Sequence, residues 1–143
     1  MAEFYTQFSC ILDVGTADNA KRAERVRAEF AAELHREEGG YPGFAMAVQP
    51  EIGPGALWLY SDEQGEPEHV IGFVLRCAEA LNLAGVWGFS WSHSCSKPRV
   101  DAFGGGAYVL DLGARRSIAD IDCSNFVHEQ IAREPAEAAG ERS

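Results

Sequence analysis

Side chains alternate from the start of the chain. Phe4, Thr6, Phe8, Cys10 and Leu12 fall on one side, and Tyr5, Gln7, Ser9 and Ile11 on the other. A period of two with aromatic content predicts a strand over Phe4–Asp13, broken by Gly15-Thr16. The period then lengthens. Ala23, Val26, Phe30 and Leu34 recur at spacings of three and four. They predict a helix over Asp18–Glu38, with Thr16 or Asp18 as N-cap and Gly39-Gly40 with Pro42 as its stop. Phe44, Met46 and Val48 then alternate with Ala45 and Ala47, and Ala56–Tyr60 follows a turn rich in Pro and Gly. These two runs read as a hairpin with a long loop.

Pro67 suits the first turn of a second helix. Val70, Phe73, Val74, Cys77, Ala78 and Leu81 give that helix a broad apolar stripe, ended by Asn82 and Gly85. The cleanest alternation is Val86–Ser96. Trp87, Phe89, Trp91, His93 and Cys95 share one face, and Gly88, Ser90, Ser92, Ser94 and Ser96 share the other. The large face is expected to lie on the helices, which leaves the small one flat and thinly covered. Ala102–Leu112 reads as a strand interrupted by Gly104-Gly105-Gly106, a sign of a bulge or a close backbone approach. Ser117–Asp122 predicts a last short strand. Asp122 or Ser124 then caps a short helix holding Phe126, Val127 and Ile131.

This order predicts an α+β fold. It is a two-layer sandwich with a ferredoxin-like β-α-β-β-α-β core, extended by a C-terminal strand pair and a short helix. Residues 1–134 are expected to form one domain and 135–143 a flexible polar tail. The 143 residues suffice for one core.

Composition narrows the function classes. The chain is 46% hydrophobic and 24% charged, as expected of a globular protein rather than a disordered one. No apolar run approaches the ~20 residues of a membrane span. The start, Met1-Ala2-Glu3-Phe4, lacks a basic region and an apolar run, so a cytoplasmic protein is expected. The net charge of −10 disfavours direct contact with nucleic acid or an anionic membrane. Between Glu37 and Leu75 there are seven acids and no Lys or Arg. Within that stretch, Glu51, Asp62, Glu63, Glu66 and Glu68 form a candidate acidic binding edge. In the first helix, basic residues occupy the early turns and acids the last, against the helix dipole. Either a partner uses that surface or i,i+4 pairs such as Arg25–Glu29 compensate.

Motifs for chemistry are sparse. The glycine run lacks the GxxxxGK[ST] or GxGxxG context of a phosphate site. Cys10, Cys77, Cys95 and Cys123 form no CxxC pair, so neither a disulfide framework nor a zinc ribbon is expected, and core thiols are the simpler reading. No cofactor and no metal are expected. His93 and Cys95 are the alternative catalytic or metal-binding pair, because one strand face brings an imidazole and a thiol together. A metal would need at least one further ligand, for which Cys10, Cys123 and His128 are candidates. His35, His69 and His128 are expected to be exposed. Lys97, Arg99, Arg115 and Arg116 could meet at one end of the last strands as a small anion or RNA site.

The text from Cys77-Ala78-Glu79-Ala80-Leu81 through Asp101-Ala102-Phe103-Gly104-Gly105-Gly106-Ala107 resembles short uncharacterised proteins carried by bacterial phages and mobile elements, over about the second half of the chain. The resemblance implies no activity and no catalytic residues. It points to a small accessory or inhibitory protein acting on a host protein. Taken together, the expected function is a non-enzymatic protein-binding module whose acidic edge meets a basic partner surface. The small face of Val86–Ser96 also suits a homodimer. The alternative is a small enzyme or ligand-binding domain centred on His93 and Cys95.

Overall fold

The computed structural model describes residues 2–38 and 42–142. The helix stop expected at Gly39-Gly40 lies outside them. The elements are β1 (Phe4–Asp13), α1 (Ala17–Glu38), β2 (Ala45–Val48), β3 (Ala56–Ser61), α2 (Pro67–Ala80), β4 (Val86–Cys95), β5 (Gly104–Asp111), β6 (Arg116–Asp122) and α3 (Cys123–Arg142). The six strands form one antiparallel sheet in the order β2-β3-β1-β4-β5-β6. No helix among the described residues is long and apolar enough to cross a membrane.

The local signals act as their chemistry suggests. The Thr16 hydroxyl accepts the Asn19 N–H at 3.0 Å, so Thr16 caps α1. The Asp122 carboxylate accepts the Asn125 N–H at 2.9 Å and caps α3. Instead of ending as a short helix, α3 runs on through 135–142, where the sequence suggests a flexible tail.

One side of the sheet carries α1 and α2. Phe8 and Leu12 of β1, Leu57 and Leu59 of β3, Phe89 of β4 and Leu110 of β5 form the floor of the core. Ala23, Phe30 and Leu34 of α1 and Val70, Phe73, Val74, Cys77 and Ala78 of α2 close it from above. Gly72 permits a close helix crossing, because a Cβ there would meet the Phe30 ring at 3.3 Å.

The inverted charges of α1 also find their use inside the chain. Arg22 donates to the Ala80 carbonyl at 2.8 Å, where the last carbonyls of α2 favour a cation. Arg27 donates to the Phe44 carbonyl at 2.7 Å and lies over the Phe44 ring. Glu33 pairs with Arg76 at 2.6 Å. Arg25 and Glu29 form no ion pair among the described residues. The unusual charge order therefore ties α1 to its neighbours.

β1 serves two half-sheets. It pairs with β4 over Phe4–Gln7 and with β3 over Phe8–Asp13. Beyond Gln7 the β4 ladder no longer reaches it. There the Trp87 indole N–H donates to the Ile11 carbonyl at 2.8 Å, meeting a buried polar group that would otherwise be costly. Phe8 meets Phe89 edge-on with ring centroids 5.9 Å apart.

Candidate functional site

The strand registers decide which side chains face away from α1 and α2. On β1 these are Tyr5, Gln7, Ser9 and Ile11. Trp58 and Tyr60 of β3 lie beside Ser9 and Ile11, and Ala45 and Ala47 of β2 lie beyond them. Across β1 come Ser94 and Ser92 of β4, continuing into Ser90 and Gly88, then Ala107 and Val109 of β5, then Ala119 and Ile121 of β6. None of these is charged. The charged residues on this face, Asp13, Asp111 and its partner Arg116, sit only at the strand ends. Ser90, Ser92 and Gly88 are exposed, as the alternation of β4 suggests. Trp58 and Tyr60 stack with centroids 3.8 Å apart, and the Trp58 indole N–H donates to the Ser9 hydroxyl at 2.8 Å. The aromatic pair is thus fixed before any partner arrives. Sequence reasoning missed it, although Trp58 and Tyr60 alternate with Leu57 and Leu59 and so must face away from the core.

The acidic edge divides. Asp62, Glu63, Glu66 and Glu68 follow one another from the end of β3 into the first turn of α2. Their loop is held against β1, since Thr6 N–H donates to the Glu63 carbonyl at 2.6 Å and Gln7 donates to the Asp62 carbonyl at 2.9 Å. Glu51 lies in the loop at the opposite end of the β2–β3 hairpin. The five acids therefore do not make one patch. Asp62 borders the open face beside Gln7 and Glu63 follows it in the loop, whereas Glu66 and Glu68 begin α2 on the helix side and Glu51 stands apart. The four basic residues are separated too. Arg116 pairs with Asp111 opposite Val86, whereas Lys97 and Arg99 follow the far end of β4. The ten residues of β4, about 30 Å, separate them.

His93 and Cys95 are half-buried on the helix-side face. His93 shares a 2.9 Å hydrogen bond with the Thr6 hydroxyl. No third ligand joins them: among the described residues no three His, Cys, Asp or Glu side chains are grouped so as to hold a metal ion. Cys10 lies further along β1 with its thiol donating to the Leu59 carbonyl at 3.6 Å, and Cys123 is exposed at the start of α3. His69 departs from the expected exposure. It is half-buried, accepts the Gly43 N–H at 3.1 Å and meets the Phe30 ring edge-on, because α2 turns it toward the loop before β2.

The thiols divide by burial. Desolvation pushes Cys10 and Cys77 from 9.0 up to about 12. In the unfolded chain both ionise near 9, so the folded state holds protons that the unfolded state releases. Their contribution to stability is complete below pH 9 and is lost as pH rises toward 12. Urea midpoints should therefore fall between pH 9 and 11, and Cys77→Ala should flatten that fall. At pH 8 a thiol reagent should label exposed Cys123 first and Cys77 last. Equal labelling of Cys77 and Cys123 in the native protein would contradict this packing.

Comparison with family models, with curated proteins and with solved structures gives no match.

Proposed function

We propose that this chain is a non-enzymatic protein-binding module that docks through the open face of its sheet. The observation carrying this reading is the absence of charge from the interior of the face, where Asp13, Asp111 and Arg116 stand only at strand ends, in a chain that is 24% charged. Interface centres are depleted in charge and enriched in Trp and Tyr, the composition found around Trp58, Tyr60 and Tyr5. Six strands averaging seven to eight residues cover about 700 Å². A stable interface takes about 800 Å² from each partner. Asp62 and Glu63 flank one end, so the preferred partner carries basic groups beside an uncharged centre. Such charges speed encounter and choose among partners more than they add affinity. The proposal includes an accessory or inhibitory role toward another protein.

The same reading takes the first six elements as a ferredoxin-like core. It is supported by the order β2-β3-β1-β4, in which each helix crosses between parallel strands separated by another strand. β5 and β6 then widen the sheet on the β4 side and lengthen the open face.

Placing lysines on this face tests the function. Ser90→Lys with Ile11→Lys should weaken partner retention at least tenfold, whether the partner is another protein or a second copy detected by sedimentation equilibrium. Circular dichroism should stay native, because both side chains point away from the core. A monomeric wild type that retains the same proteins as the lysine variant would refute the assignment.

A further inference from the structure

On the helix side, the sheet continues past the core residue Leu110 of β5 to the edge strand β6. It holds a cleft of about 540 Å³ beneath α3, lined by the rings of Trp91, Tyr108 and Phe126 and by the carboxylates of Asp120, Asp122 and Glu129. Among the described residues no Lys or Arg lines it. We propose that this cleft binds an organic cation of the alkylammonium class.

The placement follows from the registers. Trp91, Gly106 and Asp122 form one row across β4, β5 and β6, and Phe89, Tyr108 and Asp120 form the next. Gly106 has no side chain, so the Trp91 indole lies directly over it; a Cβ at Gly106 would stand 2.6 Å from that ring. The glycine in the row thus lets an aromatic surface reach toward the acids of β6. α3 leaves the sheet immediately after Asp122 and packs on β5 and β6. Phe126 and Glu129, three residues apart, share one side of the helix and complete the cleft. Trp91 rests on Gly106 and against Phe89, with ring centroids 5.3 Å apart, and among the described residues no two of the three cleft rings stack on each other, so their cleft-facing sides are left for a guest. Phe126 is 49% exposed.

The chemistry selects the guest. Three carboxylates repel an anion. A hard divalent cation needs a close shell of oxygen ligands, and no three acidic, His or Cys side chains here are grouped tightly enough to hold a metal ion. Carboxylates spaced around aromatic faces match a larger cation with apolar substituents, which gains from both the ring quadrupoles and the negative field. The N-terminus of α3 opposes a cation, but the Asp122 carboxylate capping that turn offsets it. The cation could belong to a free small molecule or to a modified lysine on a peptide, and the two share the same quaternary ammonium chemistry.

The test is a titration of the full chain with tetramethylammonium chloride at constant ionic strength, following the indole N–H signals of the tryptophans by NMR. The Trp91 signal should shift saturably with a half-point of about 1 mM, and Trp58, on the open face, should not move. Asp120→Asn combined with Glu129→Gln should raise the half-point about tenfold with native circular dichroism, since both side chains are exposed. Phe126→Leu should weaken binding while keeping the charge. A trimethyllysine tripeptide binding tighter than tetramethylammonium assigns the cation to a peptide; weaker binding assigns it to a small molecule. A shift that sodium chloride reproduces, or a half-point unchanged in the double variant, overturns the proposal. The lysine variant of the open face should bind the probe normally, so failure of the docking surface and failure of this cleft are read separately.

Discussion

Phe73→Ala should lower the unfolding free energy by about 3–5 kcal/mol, a large part of the ~5–15 kcal/mol that holds a domain of this kind together. Phe73 is completely buried in the middle of α2. Its ring centroid lies 5.4 Å from that of Phe44, which precedes β2, so one side chain joins the second helix to the edge hairpin. Truncation leaves a cavity between elements distant in sequence, which no local shift can fill. Phe73→Leu keeps most of the volume and should cost less than about 1.5 kcal/mol. Urea titrations followed by circular dichroism measure both. An alanine variant with a midpoint near the wild type would mean that α2 does not sit on the sheet as described. The open face and the α3 cleft would then lose their geometric basis, because both are defined by which side of the sheet the helices occupy.

How much of this was legible depended on whether a feature is periodic. The strands, α1, α2 and the start of α3 follow from spacing, because period two and period 3.6 are local properties of the chain, whereas the run of α3 beyond residue 134 does not. The helix side of β4 follows from ring size, since Trp87 and Phe89 stack at 5.3 Å and cannot share the serine face. Thr16 was readable as a cap because the capping bond spans only three residues. The relations between elements were not readable. Glu51 and Asp62 are close in sequence, yet a hairpin sends them to opposite ends. Lys97 and Arg116 are separated by the length of β4 for the same reason. His69 lies on a helix that the sequence predicts, but its partner Gly43 comes from another segment, so its burial left no local trace. The α3 cleft gathers β4, β5, β6 and a helix, and only the strand register shows that Trp91 and Asp122 flank the same glycine.

That glycine separates the members of a run that looks uniform in sequence. Gly106→Ala should destabilise the protein by about 1–3 kcal/mol, as overpacking does. The added Cβ would press on the Trp91 ring at 2.6 Å and on the Ile121 carbonyl, and the latter is backbone that cannot swing aside. Gly105 is constrained twice, by a φ of +148° that L side chains rarely adopt and by the Trp91 backbone carbonyl, which a Cβ there would strike. Gly104→Ala should be nearly neutral, because its Cβ would meet only the Ser124 hydroxyl at 3.1 Å, which can rotate. Thermal unfolding of the three alanine variants should therefore rank Gly104 well above Gly105 and Gly106. The Gly106 variant should also displace the indole and abolish the saturable tetramethylammonium shift, whereas the Gly104 variant should keep it. Equal losses at all three positions would assign the run to chain flexibility alone. The ranked result would instead show that one missing side chain sets both how β5 packs on β4 and where the Trp91 ring lies.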